Sequence, residues 1–170
     1  MKIFGPKSLS ALFYYIFRSI SIVLLAFLTY MEFAFITDRF TVEDGRFDMK
    51  IPLIGSSIQG DYQFSDILTI SLILIFGILL FYLLSNIFKA LKETIIFNKG
   101  IVKNLKLLTI LNLIVGPVLY FLIHYPIMHK TEFGNIHNLI LLIIFGMISL
   151  FLTYVFKKGY TVQSENDLTI

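Results

Sequence analysis

The sequence predicts an all-α membrane protein whose four transmembrane helices form an up-down-up-down bundle, with a small β-hairpin in the first loop. Of its 170 residues, 57% are hydrophobic and only 15% are charged, outside the usual composition of a soluble domain. The sequence contains four apolar runs, each close in length to the about 20 residues that a helix needs to cross a hydrocarbon core. Because backbone groups in lipid need partners within their own segment, these runs are helices. We interpret the whole chain as one membrane domain.

The first predicted span covers residues 12–36, and its apolar run from Ser19 to Ile36 contains one charged side chain, Glu32. A cleavable signal peptide is the alternative, because Lys2 and Lys7 precede the apolar run. The run is too long for a leader, and its exit has bulky residues where a peptidase needs small ones. We therefore expect a retained helix.

The other predicted spans cover residues 66–89, 104–128 and 137–157, and the central apolar runs of these spans contain one ionisable group, His124. Small residues fall near the middle of each span: Ala26, Gly77, Gly116 and Gly146. Such residues allow close helix crossing, although the same layer could frame a small cavity for a lipid or substrate. Close packing is the favoured interpretation.

The sequence Gly116-Pro117 predicts a kink in the third span, because proline has no N–H to donate. A carbonyl of the preceding turn then lacks its partner. We expect Asn112 or a neighbouring side chain to satisfy it.

The distribution of basic residues predicts that both termini are cytoplasmic. With that orientation ten Lys and Arg lie inside and four outside: Arg39, Arg46, Lys50 and Lys130. Cytoplasmic segments carry an excess of such residues. The formal charge of +3 therefore indicates topology, and no direct nucleic-acid binding is expected.

The outer loop, residues 37–65, contains a predicted hairpin over residues 40–51. Asp44-Gly45 is a strong turn signal between two runs of alternating character. The apolar side chains of the hairpin could cap the bundle, lie on the headgroups or bind an outer partner. Capping is favoured, because an isolated hairpin is marginally stable in water.

The inner loop, residues 89–106, is basic, and Asn98 is predicted to cap the start of the third helix. Lys99 and Lys103 would face anionic headgroups, with Ile101, Val102 and Leu105 facing the acyl chains. Anchoring the span is the favoured role of these lysines. Docking of an acidic cytoplasmic partner is the alternative.

The cytoplasmic tail, residues 158–170, is predicted to follow a helix cap at Gly159 and to be extended. Its candidate functional residues are Glu165, Asp167, Leu168 and Ile170. They could bind the inner loop or a partner, or the tail could be disordered.

The segment from Phe97 to Lys106 and the ending Asp167-Leu168-Thr169-Ile170 resemble an uncharacterised family of small bacterial four-helix membrane proteins. The likeness covers the whole length, although Gly100 stands where the family often has an acidic residue or Asn. The resemblance implies the bacterial cytoplasmic membrane as location. It also implies a cytoplasmic partner, an Xre-type helix-turn-helix regulator that is often encoded beside the family. No enzyme activity comes with it.

Glu32 and His124 are the functional candidates inside the membrane, because burying a charge there costs at least a few kcal/mol. They could pair near the outer face, or Glu32 could be protonated or reach the surface. No catalytic or metal motif is present, so we expect neither an enzyme nor a metal or cofactor site.

The sequence favours a non-catalytic membrane regulator that holds a cytoplasmic partner. The alternatives are a small transporter or channel subunit, and a lipid enzyme using Glu32 and His124. The sequence is also compatible with a homo-oligomer.

Overall fold

Four helices long and apolar enough to cross a membrane make up most of the protein. The structure, a computed structural model, describes residues 2–51, 55–93, 95–132 and 136–167. Within them the four candidate spans are Leu9–Ile36, Phe64–Leu91, Lys99–Ile127 and Ile136–Asn166. The prediction of a mainly helical protein with four helices that could span a membrane is confirmed.

The helices and strands follow one another in a simple order. The helices are α1 (Leu9–Ile36), α2 (Phe64–Leu91), α3 (Lys99–Ile110), α4 (Gly116–Leu122) and α5 (Ile136–Asp167). The strands are β1 (Thr41–Glu43), β2 (Arg46–Lys50) and β3 (Ser57–Asp61). We call the continuous helix from Lys99 to Ile127 the third span. The end of the helices near the strands is the sheet end, and the opposite end is the termini end.

Each helix packs mainly on its neighbour in sequence. Phe13 and Phe17 of α1 contact Phe88 of α2, with ring centroids 5.1 and 5.5 Å apart. The α2 helix then packs on α3, and the third span packs on α5. Among the described residues α1 and α5 make no comparable contact. The helices therefore lie in sequential order, and α1 does not close the predicted bundle against α5.

The third span starts at its predicted cap. The Asn98 side-chain oxygen accepts the Ile101 N–H at 3.0 Å, which confirms this residue as the N-cap. The side chains of Ile101 and Leu105 are buried against α2, and Lys99 and Lys103 are exposed. The expectation that Ile101 and Leu105 face the acyl chains is wrong, because their apolar stripe covers the buried face of α2.

A three-stranded antiparallel sheet in the order β1-β2-β3 covers the sheet end of α1 and α2. Asp44 and Gly45 join β1 to β2 with φ of 51° and 75°, the positive values of a tight hairpin turn. β3 was not predicted. Its Gly60 lies opposite Phe47, and a Cβ on Gly60 would be 2.8 Å from the Phe47 ring.

The sheet is held to the helices by two side chains of β2. Phe47 is 1% exposed and Met49 is not exposed, and they pack with Met31 and Ala34 of α1. Burial of this kind contributes roughly 1.5–3 kcal/mol for each large apolar side chain. This is the capping arrangement that the sequence favoured.

The last helix is longer than predicted. α5 continues to Asp167, so the expected helix end at 157 and the extended chain after Gly159 are wrong. A Cβ at Gly159 would lie 2.5 Å from the Phe97 ring, so this glycine makes room for Phe97 within the helix and does not end it. Phe97 also contacts Phe156, with ring centroids 5.4 Å apart. Leu168 and Ile170 lie outside the described residues.

Candidate functional site: a cavity beside the third span

A cavity of about 650 Å³ lies between α2, the third span and α5. Small-molecule sites usually have volumes of about 300–1,000 Å³. Most of its wall is apolar and comes from side chains such as Leu72, Phe76, Leu84, Leu119, Leu142 and Phe145. The polar residues in the wall are Thr69, Asn112, Tyr120, His124, Lys130 and Asn138.

The cavity follows the third span from its middle to the sheet end. Asn112 and His124 are both wall residues, and the twelve-residue step between them corresponds to about 18 Å of helix. Thr69, Lys130 and Asn138 belong to the sheet end, close to the helix termini there. The wall is therefore polar at the sheet end and apolar along most of its length, with one polar residue, Asn112, near mid-span.

Two π-helical segments interrupt the third span, and each places a buried polar side chain in the cavity wall. The first is Leu111–Val115 with Asn112, which is 2% exposed, and the second is Ile123–Ile127 with His124, which is 7% exposed. The extra residue in a π turn widens the helix, and such turns often occur at functional sites. Neither segment is predicted by the hydrophobic pattern of the sequence.

The signal that could have found them is proline. Pro117 follows the first segment directly and Pro126 lies within the second. At the first segment the Gly116 N–H donates to the Leu111 carbonyl, five residues earlier, so the backbone changes its pairing where a kink was predicted. The Asn112 amide donates to the Leu108 carbonyl at 2.8 Å. This carbonyl lies about one turn before the Leu113 carbonyl, which is four residues before Pro117.

His124 is fixed in the wall by its neighbours. Its Nε2 atom is hydrogen-bonded to the Glu132 backbone carbonyl. Its ring is parallel to that of Tyr120, with centroids 5.6 Å apart, and edge-on to that of Tyr125 at 5.2 Å. These contacts hold the imidazole beside the cavity.

Glu32 lies elsewhere, between α1 and α2. Its Oε1 atom accepts a hydrogen bond from the Ser71 hydroxyl at 2.5 Å. Glu32 is not part of the cavity wall. Glu32 and His124 therefore have separate partners among the described residues, and the pairing that the sequence left open as one alternative is not formed.

The sheet end of the cavity has unused hydrogen-bonding capacity. The Thr69 hydroxyl oxygen is buried and has no hydrogen-bond partner among the described residues. Lys130 forms no salt bridge with a described carboxylate, and no Asp or Glu is among the described wall residues. A buried polar group without a partner costs roughly 1–3 kcal/mol. A ligand with a polar head would recover part of this cost.

The predicted layer of small residues both packs and borders the cavity. A Cβ on Gly146 would lie 2.5 Å from Leu113 Cγ, so α5 and the third span approach closely there. A Cβ on Gly116 would lie 3.1 Å from a Leu142 methyl carbon, and Gly116 also lines the cavity. At Gly77 the nearest atom to an added Cβ is 3.6 Å away, so close packing is not required.

The other candidates lie at the termini end and are not among the cavity wall residues. Lys99 and Lys103 are exposed on α3, Glu165 is exposed on α5, and Asp167 is the last described residue. Nothing in the described contacts joins them to the cavity directly.

Comparison with known proteins shows that the sequence around the cavity matches one family model. A model described as "Protein of unknown function (DUF2975)" matches residues 57–170. No curated protein and no solved structure matches the chain. The matched part includes β3 and every helix that lines the cavity, whereas α1, β1 and β2 precede it. The expectation that the chain belongs to an uncharacterised family is thus confirmed by a match over residues 57–170, and the chain is a member of this family.

Proposed function

We propose that the protein is a non-catalytic membrane sensor that binds a lipophilic molecule in the cavity and regulates a cytoplasmic partner. The observation that carries the proposal is the cavity itself, with Asn112 and His124 placed in its wall by two π-helical segments. The location is the bacterial cytoplasmic membrane, with the sheet end outside. The excess of Lys and Arg at the termini end supports this orientation.

The length of α5 supports a role on the cytoplasmic side. Its 32 residues correspond to about 48 Å, more than the about 30 Å of the hydrocarbon core. The projecting end of α5 lies at the termini end, as do three exposed charged residues, Lys99, Lys103 and Glu165. A helix-turn-helix regulator is the partner that this surface would hold.

A small transporter subunit is the alternative, because a cavity can also serve as a substrate site. Ion-coupled transporters commonly carry charged groups near mid-span. Asn112 is neutral, which favours binding over coupled transport. Solute flux in liposomes containing the purified protein would support the transporter.

The sensor proposal is tested with single tryptophans, since the chain has no natural Trp. Tyr120→Trp places the fluorophore in the cavity wall, and Val118→Trp places it on an outward-facing position that is 58% exposed. The proteins are reconstituted in nanodiscs and titrated with a brominated fatty acid. We expect saturable quenching for Tyr120→Trp and quenching proportional to the added quencher for Val118→Trp. Proportional quenching of both would refute the cavity as a binding site.

The partner is tested separately in cells. We expect a helix-turn-helix regulator to copurify with the full chain, and deletion of residues 165–170 should reduce its recovery. An unchanged recovery would exclude the tail from the interface. Failure to copurify in either case would remove the regulator from the proposal.

A further inference from the structure

We propose that the ligand is an amphiphile with one hydrocarbon chain and an anionic head group, held with the head at the sheet end of the cavity. This inference rests on the proposed function and adds the chemistry of the ligand. The head would contact Lys130, Asn138 and the Thr69 hydroxyl, and the chain would extend along the third span toward Asn112.

The shape of the cavity favours a single chain. Its apolar wall follows about 18 Å of the third span, from His124 to Asn112. Its volume of about 650 Å³ is that of a drug-sized site, which has room for one chain but not for a whole two-chain phospholipid.

The charge of the wall favours an anion. Lys130 is a cation, and no carboxylate is found among the wall residues that the structure describes. Asn138 and Thr69 can both donate a hydrogen bond, and the Thr69 hydroxyl has no partner among the described residues. Hydrogen bonds between charged groups are about twice as strong as neutral ones.

The decisive comparison is between a charged and an uncharged amphiphile with the same hydrocarbon chain. Brominated palmitate and brominated hexadecanol share one hydrocarbon chain and differ in the head. They are titrated into Tyr120→Trp protein in nanodiscs of zwitterionic lipid, and into the same protein carrying Lys130→Met. Lys50→Met is the matched control, because Lys50 is an exposed lysine of β2 at the same end and does not line the cavity. Brominated hexadecyl phosphate forms a third arm that distinguishes a phosphate from a carboxylate head.

The expected result is saturable binding of palmitate at least about tenfold tighter than that of hexadecanol, as one charge-assisted contact gives. Lys130→Met should abolish this preference and leave hexadecanol binding unchanged, and Lys50→Met should keep the preference. Tighter binding of the phosphate than of palmitate would assign the head as a phosphate monoester. Equal binding of the acid and the alcohol would overturn the inference of an anionic head group. It would leave intact the proposal that the cavity binds a lipophilic molecule. Absence of saturable binding by all three would overturn both proposals.

Discussion

Replacing Gly146 by alanine should destabilise the protein, whereas the same change at Gly77 should not. The added Cβ at position 146 would lie 2.5 Å from Leu113 Cγ and 3.3 Å from Asn112 Cβ. The Asn112 Cβ is fixed by the backbone and the Leu113 Cγ is the branch point of its side chain, so rotation about χ2 of Leu113 cannot relieve the clash. At Gly77 the nearest atom is a Leu24 methyl carbon at 3.6 Å, an ordinary contact.

The size of the effect follows from two opposing terms. Alanine is favoured over glycine in a helix by about 1 kcal/mol, and this gain applies at both positions. Overpacking at position 146 costs roughly 1–3 kcal/mol, with the upper value expected for so short a distance. We expect Gly146→Ala to lose about 2 kcal/mol and Gly77→Ala to gain up to about 1 kcal/mol.

The assay is the melting temperature of both variants and the parent protein in one detergent. For a chain of this length about 1 kcal/mol shifts the melting temperature by roughly 2–4 °C. Gly146→Ala should therefore melt several degrees below Gly77→Ala. Equal melting temperatures would show that α5 and the third span do not approach as closely as described.

Three further predictions concern the two ends of the molecule. Phe47→Ala should lower the free energy of unfolding by roughly 3–5 kcal/mol, because it removes the contact between the sheet and the helices. Val42→Ala, at a side chain that is 47% exposed, should change it by no more than about 0.5 kcal/mol. An equal loss of melting temperature in both variants would contradict the capping role. Asn98→Ala removes the N-cap of the third span and should cost about 1 kcal/mol in the same assay, so unchanged stability would argue against the cap. Gly159→Ala should displace the Phe97 ring and speed amide exchange in the loop before α3, and unchanged exchange would mean that the ring does not rest on the glycine.

The membrane architecture was predictable because it depends on composition and length. Runs of about 20 apolar residues have few alternatives in lipid. The Asn98 cap was also predictable, since its signal is local and chemical. Asp44-Gly45 identified the turn at which two strands meet, but β3 contains Gly60 and little alternation to mark it.

The errors share a different physical cause, because they depend on contacts between distant segments. Gly159 has the sequence of a helix end, yet the Phe97 ring needs the space that glycine leaves. Ile101 was assigned to lipid, although a facing stripe on α2 buries it. Apolar periodicity does not distinguish a protein neighbour from an acyl chain.

The cavity was present in the sequence only as the less favoured of two interpretations. Small residues near mid-span were consistent with close packing or with a cavity, and the structure contains both. The π-helical segments contribute Asn112 and His124 to the cavity wall, and their extra residues cannot be read from hydrophobic spacing. Pro117 and Pro126 mark their positions in retrospect.

The most direct test of the account is the mass of the intact protein released from its own membrane. Three forms are compared by native mass spectrometry: the parent chain, Leu119→Trp, which fills the cavity, and Val118→Trp, which adds the same bulk on the outward-facing side. We predict one retained lipophilic molecule on the parent and on Val118→Trp, and none on Leu119→Trp. A parent chain without a bound molecule, or a molecule retained equally by Leu119→Trp, would contradict the account.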